Sequence, residues 1–316
     1  MSPALRPLTS DPAAGRRLGL AAVRARAAGN VESAEWVRNL EQQLTAGSVD
    51  GRLYVVDEQP IGFVSWAAGG PMGVSVHLLL VERSSSPAED YRHLLSAVEA
   101  EAGPVAFVSG PLAGLPGEVE ERLMRGLGYR RYGRSEMVLQ APGAPGEASS
   151  PAGEQLRPAL RTDLVRLAEL HRAAYAESFD RYLFLELPDE HEDARREVHE
   201  ILEGRWGEFL PEGSCVCERD GRMVGAVLSV RGPTGALVAD VMVDPGHRGH
   251  GVGRRLLTSA VRSMRHAGVD RIYLNVTEGN ERALRLYRSL GFARSLGPTH
   301  DWYNARRIPV APFPDA

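Results

Sequence analysis

The stretch Asp244-Pro-Gly-His-Arg-Gly-His-Gly-Val-Gly-Arg-Arg-Leu-Leu257 decides how the second half of this chain folds. The apolar run before it, 236–243, predicts a strand, and the residues at its end, 256–264, predict a helix. A glycine-rich turn between a strand and a helix leaves backbone N–H groups unpaired and directs them to one point, beside the positive end of the helix dipole. The glycines also let the backbone approach an anion without an intervening side chain. The stretch therefore predicts a turn that binds a pyrophosphate.

Two other kinds of glycine-rich turn fit these residues poorly. A P-loop requires Gly-x-x-x-x-Gly-Lys-Ser/Thr, and no lysine stands at the required place. A dinucleotide-binding fold has its glycines early in a βαβ unit and an acidic residue about twenty positions later. Here the glycines come late in the chain, and Tyr273 and Asn275 occupy the later positions.

A second pattern follows a predicted strand at 271–276. It reads Asn280-x-x-Ala283-x-x-x-Tyr287-x-x-x-Gly291-Phe292. Together with Arg248-x-x-Gly251-x-Gly253, it resembles the two signatures of GNAT-type N-acetyltransferases. The resemblance implies an α/β (α+β) fold with a mixed, mostly antiparallel twisted sheet flanked by helices. It also implies acetyl-CoA as co-substrate.

The same resemblance assigns residues to the cofactor. The strand at 239–243 would carry a bulge and diverge from its neighbour, so that its backbone pairs with the pantetheine arm and polarises the thioester carbonyl. Asn280 would cap its helix or contact the cofactor, and His247 and His250 would face solvent or phosphate. The residues implied for cofactor binding are Val241, Met242, Val243, Arg248, Gly249, His250, Gly251, Val252, Gly253, Arg254, Asn275, Asn280 and Ala283.

Two residues carry the predicted proton transfers. Tyr287 is the general acid, since a phenol with a pKa near 10 keeps its proton at neutral pH; the alternative is a core aromatic residue on an amphipathic helix. Asp240 is the candidate general base, and its alternative is a strand residue that faces solvent or pairs with an arginine. Asn275 is also a candidate for orienting a water molecule.

The predicted acceptor region is acidic and contains aromatic residues. It comprises 175–182 and 186–193, with the segment 299–304 as a further candidate. A cationic amine suits such a surface through charge and cation–π contacts. The alternative is a solvated helix start, because acidic residues favour helix N-termini.

Composition limits the class of protein. The chain has 316 residues with a formal net charge of −4, which predicts two domains and no nucleic-acid partner. No run is long enough to cross a bilayer and the N-terminus has no signal core, so we expect a cytoplasmic protein without a membrane partner. Cys215 and Cys217, the two cysteines, alternate along a predicted strand, and we interpret them as structural rather than as metal ligands. The oligomeric state is not predicted.

The chain contains two related halves. A Pro/Gly-rich linker at 141–154 separates 1–140 from 155–316, and matching strand-turn-strand segments recur at an offset of about 163 residues. The first half lacks the motif residues: Glu89 falls on Gly251 and Tyr91 on Gly253. The Glu89 carboxylate would repel a phosphate at this position. Without the glycines, side chains would keep the backbone from approaching the anion. We therefore predict a degenerate first domain without an acyl-CoA site.

The resulting hypothesis is a tandem GNAT-type enzyme whose second domain, 155–316, moves an acetyl group from acetyl-CoA to a primary amine by direct attack on the thioester. The amine belongs to a small molecule or a peptide. The alternative is a non-catalytic acyl-CoA-binding regulatory protein.

Overall fold

The computed structural model of this protein describes residues 3–29, 34–47, 49–67, 72–140, 151, 153–184, 190–232, 234–295 and 299–308. Most of the predicted linker, 141–150 and 152, lies outside the described residues, as do 186–189 of the predicted acceptor region. The chain divides into two compact units, Met1–Gly133 with Pro298–Ala311, and Arg134–Gly297 with Pro312–Ala316. No helix among the described residues is long and apolar enough to span a membrane.

The first unit contains strands on which four helices pack. The strands are β1 (Ala4–Pro7), β2 (Arg52–Val56), β3 (Gln59–Ala67), β4 (Val74–Val81), β5 (Val105–Ser109) and the start of β6 (Tyr129–Leu139). The helices are α1 (Pro12–Gly29), α2 (Ala34–Ala46), α3 (Pro87–Ala102) and α4 (Gly117–Gly126). Neighbouring strands from β1 to β4 are antiparallel, and β4 and β5 are parallel.

The second unit repeats this plan. Its strands are the end of β6, β7 (Glu154–Pro158), β8 (Glu208–Phe209), β9 (Cys215–Arg219), β10 (Arg222–Gly232), β11 (Gly235–Val243), β12 (Ile272–Thr277) and β13 (Phe292–Arg294). Its helices are α5 (Leu164–Tyr175), α6 (Asp180–Phe184), α7 (Glu190–Leu202), α8 (Val252–His266) and α9 (Glu281–Ser289). The main strand order is β6-β12-β11-β10-β9-β7, with only β11 and β12 parallel. The predicted mixed, mostly antiparallel α/β fold is confirmed.

Two apolar layers cover the sheet of the second unit. One layer joins α8 and α9 to the strands, through residues such as Leu256, Val261 and Leu284. The other joins α5 and α7 to the opposite face, through residues such as Leu167 and Val198. Side chains that alternate along a strand therefore enter different cores, so a shift of one residue decides which core a strand residue faces.

The terminal strands differ from the prediction. The segment 299–304, which the sequence analysis placed within the second half at 155–316, forms β14 (Thr299–Asn304) and pairs with β5 of the first unit, where Trp302 lies opposite Val108. In the second unit, 134–138 from the first half of the chain pairs antiparallel with β12. Pairing between strands so far apart in sequence has no local signal, which is why the periodicity did not reveal it.

Candidate active site

A β-bulge in β11 shapes the centre of the second unit. Leu228 of β10 lies opposite Asp240, but the next residue, Ser229, lies opposite Val238, so Ala239 is an extra residue in β11. Before the bulge, Val238 packs into the core beneath α8. After it, Met242 packs into the core beneath α5 and α7. The bulge therefore turns Asp240 toward α5 and α7.

The same strand separates from its parallel neighbour. β11 pairs with β12 only over 236–238. Beyond this point β11 still pairs with β10, and the Asp244 N–H donates to the Val224 carbonyl at 3.0 Å. Since hydrogen-bonded pairs alternate in an antiparallel ladder, Met242 directs its amide toward β10, and Val241 and Val243 direct theirs into the gap beside β12. Two of the three residues predicted for backbone pairing thus face the gap.

The glycine turn follows this gap. Gly249 and Gly251 have φ values of +80° and +78°, which favour glycine over any residue with a Cβ. Gly251 is the N-cap of α8, and no side chain caps this helix. The first N–H groups of the helix have no intrahelical acceptor, so they and the helix dipole favour an anion here. The turn therefore has helix N–H groups without intrahelical acceptors beside two glycines with positive φ, and its binding of a pyrophosphate stays a prediction.

The two arginines predicted at this turn differ in their placement. Arg248 is directed inward: Nη2 donates to the Ala174 carbonyl and Nε to the Val243 carbonyl at 3.3 Å. Burial lowers the pKa of Arg248, with Arg282 as the next cause. Arg254 is exposed, and its Nη2 donates to the Ser289 hydroxyl at 2.6 Å. Arg248 therefore braces the turn against α5, and Arg254 supplies charge at its rim.

A third arginine, which the sequence analysis did not assign, also supports the turn. Arg255 forms a two-point ion pair with Glu154 at the start of β7, and both side chains are buried. Its Nη1 donates to the His250 carbonyl at 3.0 Å. The pair therefore holds the turn from beneath. Only the tertiary contact with Glu154 distinguishes Arg255 from the adjacent Arg254.

The remaining predicted cofactor residues lie around the same cleft. Asn280 caps α9, since its Oδ1 accepts from the Ala283 N–H at 3.2 Å. Asn275 is exposed on β12, and the His250 ring contacts the Arg248 carbonyl at 2.9 Å. Residues of the predicted set that line the cleft are Val241, Val243, Arg248, Gly249, Gly251, Val252, Gly253, Arg254, Asn275, Asn280 and Ala283.

The cleft has a volume of about 1050 Å³ and lies within the second unit. It runs between the gap in the sheet, the glycine turn and α9, and both Tyr287 and Asp240 line it. Tyr287 is only 8% exposed. Burial raises the pKa of Tyr287, and the nearby charges of Asp240 and Asp180 raise it further. Its phenol therefore keeps its proton at neutral pH.

Asp240 is buried, so the alternative of a solvent-facing strand residue is wrong for this side chain. Its Oδ1 accepts a hydrogen bond from the Tyr175 hydroxyl at 2.6 Å. Its Oδ2 lies 3.7 Å from Nε2 of His171 on α5. Burial raises the pKa of Asp240, and the charge of His171 and the hydrogen bond from Tyr175 oppose that rise. The carboxylate is thus buried between a hydroxyl donor and an imidazole, and its role as the general base stays a prediction.

The predicted acceptor segment 175–182 lies at one end of the cleft. Tyr175, Glu177 and Asp180 line it together with Trp206. Asp180 is buried and accepts a hydrogen bond from the Thr277 hydroxyl. The segment 299–304 belongs to the first unit. The acidic and aromatic character predicted for the acceptor end is therefore present on the 175–182 side.

The first unit has the same strand irregularity. In β4, Leu78 lies opposite Ser65 and Val76 opposite Trp66, so His77 is the extra residue. β4 pairs with β5 only as far as Val76. The first unit therefore contains the bulge and the divergence of the second, as expected for a copy of the same domain.

A tyrosine occupies the strand edge in that first unit. The Val81 N–H at the end of β4 donates to the Tyr91 hydroxyl at 3.2 Å, and Tyr91 donates to the Ala113 carbonyl at 2.9 Å. Tyr91 stands at the position that aligned with Gly253, and Glu89 and Asp90 occupy the first turn of α3. A ring and two carboxylates thus stand where the aligned segment of the second unit has its glycine turn. That the first domain has lost an acyl-CoA site stays a prediction.

Comparison with known proteins agrees with this geometry. Residues 166–292 match the sequence model of the acetyltransferase (GNAT) family. This part of the chain belongs to the GNAT family. A GCN5-related N-acetyltransferase from Sphaerobacter thermophilus has 18% identity and a TM-score of 0.62, covering 99% of this chain and 97% of that one. A tandem GNAT protein from the clavulanic acid biosynthesis pathway has 19% identity and a TM-score of 0.56, covering 95% and 97%. These likenesses show the tandem GNAT fold.

Curated relatives match parts of the chain. Mycothiol acetyltransferase from Thermobispora bispora is 39% identical over 94 residues, 27% of this chain and 32% of that protein. Mycothiol acetyltransferase from Stackebrandtia nassauensis is 31% identical over 158 residues, 48% of each. Streptothricin acetyltransferase from Streptomyces lavendulae is 43% identical over 56 residues, 18% of this chain and 30% of that protein. The chain therefore spans about a third to a half of the length of these GNAT relatives.

Proposed function

We propose that this protein is an acetyl-CoA-dependent N-acetyltransferase with one working site, in the second unit. The observation that carries the proposal is a single cleft that contains the diverging edge of β11, the glycine turn, Tyr287 and Asp240. Each feature matches one requirement of the reaction. The glycine turn offers backbone N–H donors to a diphosphate, Asp240 offers a base to the attacking amine, and Tyr287 offers an acid to the departing sulfur.

The fit to acetyl-CoA depends on this chain's own backbone. Acetyl-CoA supplies the thioester that carries the acetyl group. The turn from Gly249 to Gly253 presents amides to the diphosphate, braced by Arg248 and Arg255. Val241 and Val243 present backbone groups to the gap, as a strand edge does to an extended ligand. Arg254, exposed at the rim, adds positive charge.

Two side chains move the protons. The Asp240 carboxylate takes a proton from the acceptor ammonium or from the amine as it attacks, and becomes a neutral carboxylic acid. Tyr287 donates its phenolic proton to the departing sulfur, which leaves as a thiol. Its raised pKa keeps it in the acid form and makes it a stronger base once the proton has gone, so it is readily reprotonated.

The acceptor is an amine that carries positive charge in solution. Asp180 and Glu177 face the cleft end with Trp206 beside them, and this set favours a cation. The relatives named for mycothiol and streptothricin favour a small molecule over a peptide. We therefore expect small amines to be better acceptors than peptides.

The test measures acetyl transfer and cofactor binding separately. Purified protein is mixed with acetyl-CoA and a panel containing streptothricin, the amine acceptor of mycothiol acetyltransferases, other small amines and peptides; products are identified by mass. Tyr287→Phe should lower turnover about 100-fold or more, the usual contribution of a general acid, while calorimetry shows acetyl-CoA affinity nearly unchanged. Tyr91→Phe removes a buried phenolic hydroxyl from the first unit, outside the cleft, and should leave turnover per folded molecule unchanged.

Two results would contradict the proposal. Turnover of Tyr287→Phe at the wild-type rate removes this residue from the mechanism. Tight acetyl-CoA binding without transfer to any amine in the panel favours an acyl-CoA-binding regulatory protein instead.

A further inference from the structure

A buried charged cluster lies behind Asp240, on the side of β11 that faces α5 and α7. It consists of His171 on α5, Glu197 on α7 and Asp240 itself. These residues are 1%, 6% and 5% exposed. The sequence analysis assigned no role to His171 or Glu197. A cluster of this kind is costly to bury unless its charges compensate each other.

The imidazole lies between the two carboxylates. Nε2 of His171 is 3.4 Å from Oε2 of Glu197 and 3.7 Å from Oδ2 of Asp240. Tyr175 satisfies the other oxygen of Asp240, and its ring centre lies 4.6 Å from that of His171. Among the described residues, the two carboxylate oxygens that face His171 and both ring nitrogens of His171 have no hydrogen-bond partner, so the three groups interact through charge at these distances. Of the groups that the structure describes, Nε2 of His171 is thus the position that lies within 4 Å of both carboxylates and can carry a positive charge.

The charge balance indicates the protonation state of His171. With a neutral imidazole, two buried carboxylates would lie on either side of a group that carries no charge, and each would repel the other's ionisation. With a protonated imidazole, one positive charge lies between them. Despite its burial, the pKa of His171 is raised, through Glu197 and Asp240. Burial raises the pKa of Glu197, and His171 opposes that rise.

We propose that His171 and Glu197 are positioning residues for the base: His171 holds a proton between the two carboxylates and thereby keeps Asp240 ionised until it accepts the amine's proton. This inference rests on the proposed role of Asp240. Glu197 acts through His171, whose protonated form it stabilises. No covalent step is involved: Asp240 gains one proton and the amine loses one, while His171 keeps its own.

Other groups that face Asp240 do not supply this positive charge. Tyr175 on α5 donates a hydrogen bond, Tyr287 on α9 is a neutral phenol, and Asp180 on α6 raises the pKa of Asp240 further. Among the described groups that shift the pKa of Asp240, His171 is the only one that can carry a positive charge. Removing His171 should therefore raise the pKa of Asp240, which would then remain protonated up to a higher pH.

The first experiment reads the protonation of His171 without activity. Full-length protein labelled at the histidine Cε1 carbon is titrated by NMR, and the signal absent from His171→Gln identifies this residue. We expect a midpoint above the ordinary value of about 6.5. Asp240→Asn and Glu197→Gln should each lower it by about one to three pH units, the usual effect of a nearby opposite charge. A midpoint below 6.5, or one that neither variant changes, overturns the inference.

The second experiment measures kcat/KM against pH. In wild type, kcat/KM should fall on the acidic side of the pH profile, which we call the acidic limb. In His171→Gln the midpoint of this limb should shift to a pH about one to three units higher, because Asp240 loses the positive charge that favours its ionised form. Glu197→Gln should move it in the same direction by a smaller amount. Leu170→Ala, a buried change on the same helix, controls for altered packing and should leave the limb in place. An acidic limb that does not move in His171→Gln also overturns the inference.

These readouts separate the two proposals. If the wild type acetylates no amine, the proposed function fails, and the NMR titration still reports on the cluster. If the wild type is active but His171 titrates as an ordinary neutral imidazole, the positioning role fails and the proposed function stands.

Discussion

Replacing Gly251 by alanine is the sharpest test of the glycine turn. Gly251 has φ of +78°, and a left-handed backbone costs a residue with a Cβ about 1–2 kcal/mol. The new methyl carbon would lie 2.8 Å from Nη1 of Arg255. Arg255 cannot move aside cheaply, because it is buried and paired with Glu154. Losing the hydrogen bond from this charged guanidinium to the His250 carbonyl adds about 1.5–3 kcal/mol. We expect the free energy of unfolding to fall by about 2.5–5 kcal/mol.

Gly268→Ala is the matched control. Gly268 also has φ of +78°, but it follows the C-terminal end of α8, and a Cβ there would meet nothing within 4 Å. It should show the backbone cost of about 1–2 kcal/mol alone. Urea unfolding of both variants measures this difference.

Cofactor affinity should separate the two variants more clearly than stability does. A methyl group at Gly251 displaces the amides that face the diphosphate, and each hydrogen bond to a charged group contributes about 1.5–3 kcal/mol. Calorimetry with coenzyme A and with acetyl-CoA should therefore show binding weakened at least about tenfold in Gly251→Ala. Gly268→Ala should bind as the wild type does. If Gly251→Ala binds with wild-type affinity, the turn does not hold the diphosphate and the reasoning from its geometry is refuted.

Three further predictions concern stability and pH. Glu154→Gln leaves Arg255 buried without its counter-charge, and urea unfolding should show a loss of about 3–5 kcal/mol; a loss below about 1 kcal/mol would contradict a buried ion pair. Trp302→Ala opens a cavity in the first unit and should cost about 3–5 kcal/mol, whereas the exposed Leu160→Ala should change stability by less than about 0.5 kcal/mol; equal effects would exclude β14 from that core. As pH falls through the raised pKa of Asp240, the base is protonated and kcat/KM should fall. The acceptor amine also titrates, so the pH profile is measured with two amines of different pKa. If the midpoint of the fall in kcat/KM shifts by the full difference between the two amine pKa values, the fall is not due to Asp240.

Local sequence was sufficient for the features that depend on neighbouring residues. Local patterns predicted a strand at 236–243, a helix at 256–264 and a strand at 271–276, and the structure has β11 (Gly235–Val243), α8 (Val252–His266) and β12 (Ile272–Thr277) there. The glycines predicted a turn whose backbone can approach an anion, and Gly249 and Gly251 have positive φ there. Asn280 was predicted to cap its helix or contact the cofactor, and it caps α9. The repeat predicted a first domain without the glycine turn, and the ring of Tyr91 lies at the edge of β4 in the first unit; the loss of an acyl-CoA site there stays a prediction.

Other features depend on contacts that local patterns do not encode. Simple alternation places Asp240 on the same face as Val238, and only the extra residue Ala239 turns it toward α5. Adjacent arginines at 254 and 255 look equivalent in sequence, yet one is exposed at the rim and the other is buried against Glu154. In the sequence, His171 is one polar residue on an amphipathic helix, and nothing local indicates that it lies between two buried carboxylates.

The sequence by itself determined that the second half is a GNAT domain and where its glycine turn and motif tyrosine lie, because short-range spacing specifies turns, caps and helix faces. Only the tertiary structure decided which unit each terminal strand completes, which core Asp240 enters and which charges surround it. Those outcomes depend on a one-residue bulge and on pairings between distant segments, and neither changes the pattern of residues along the chain.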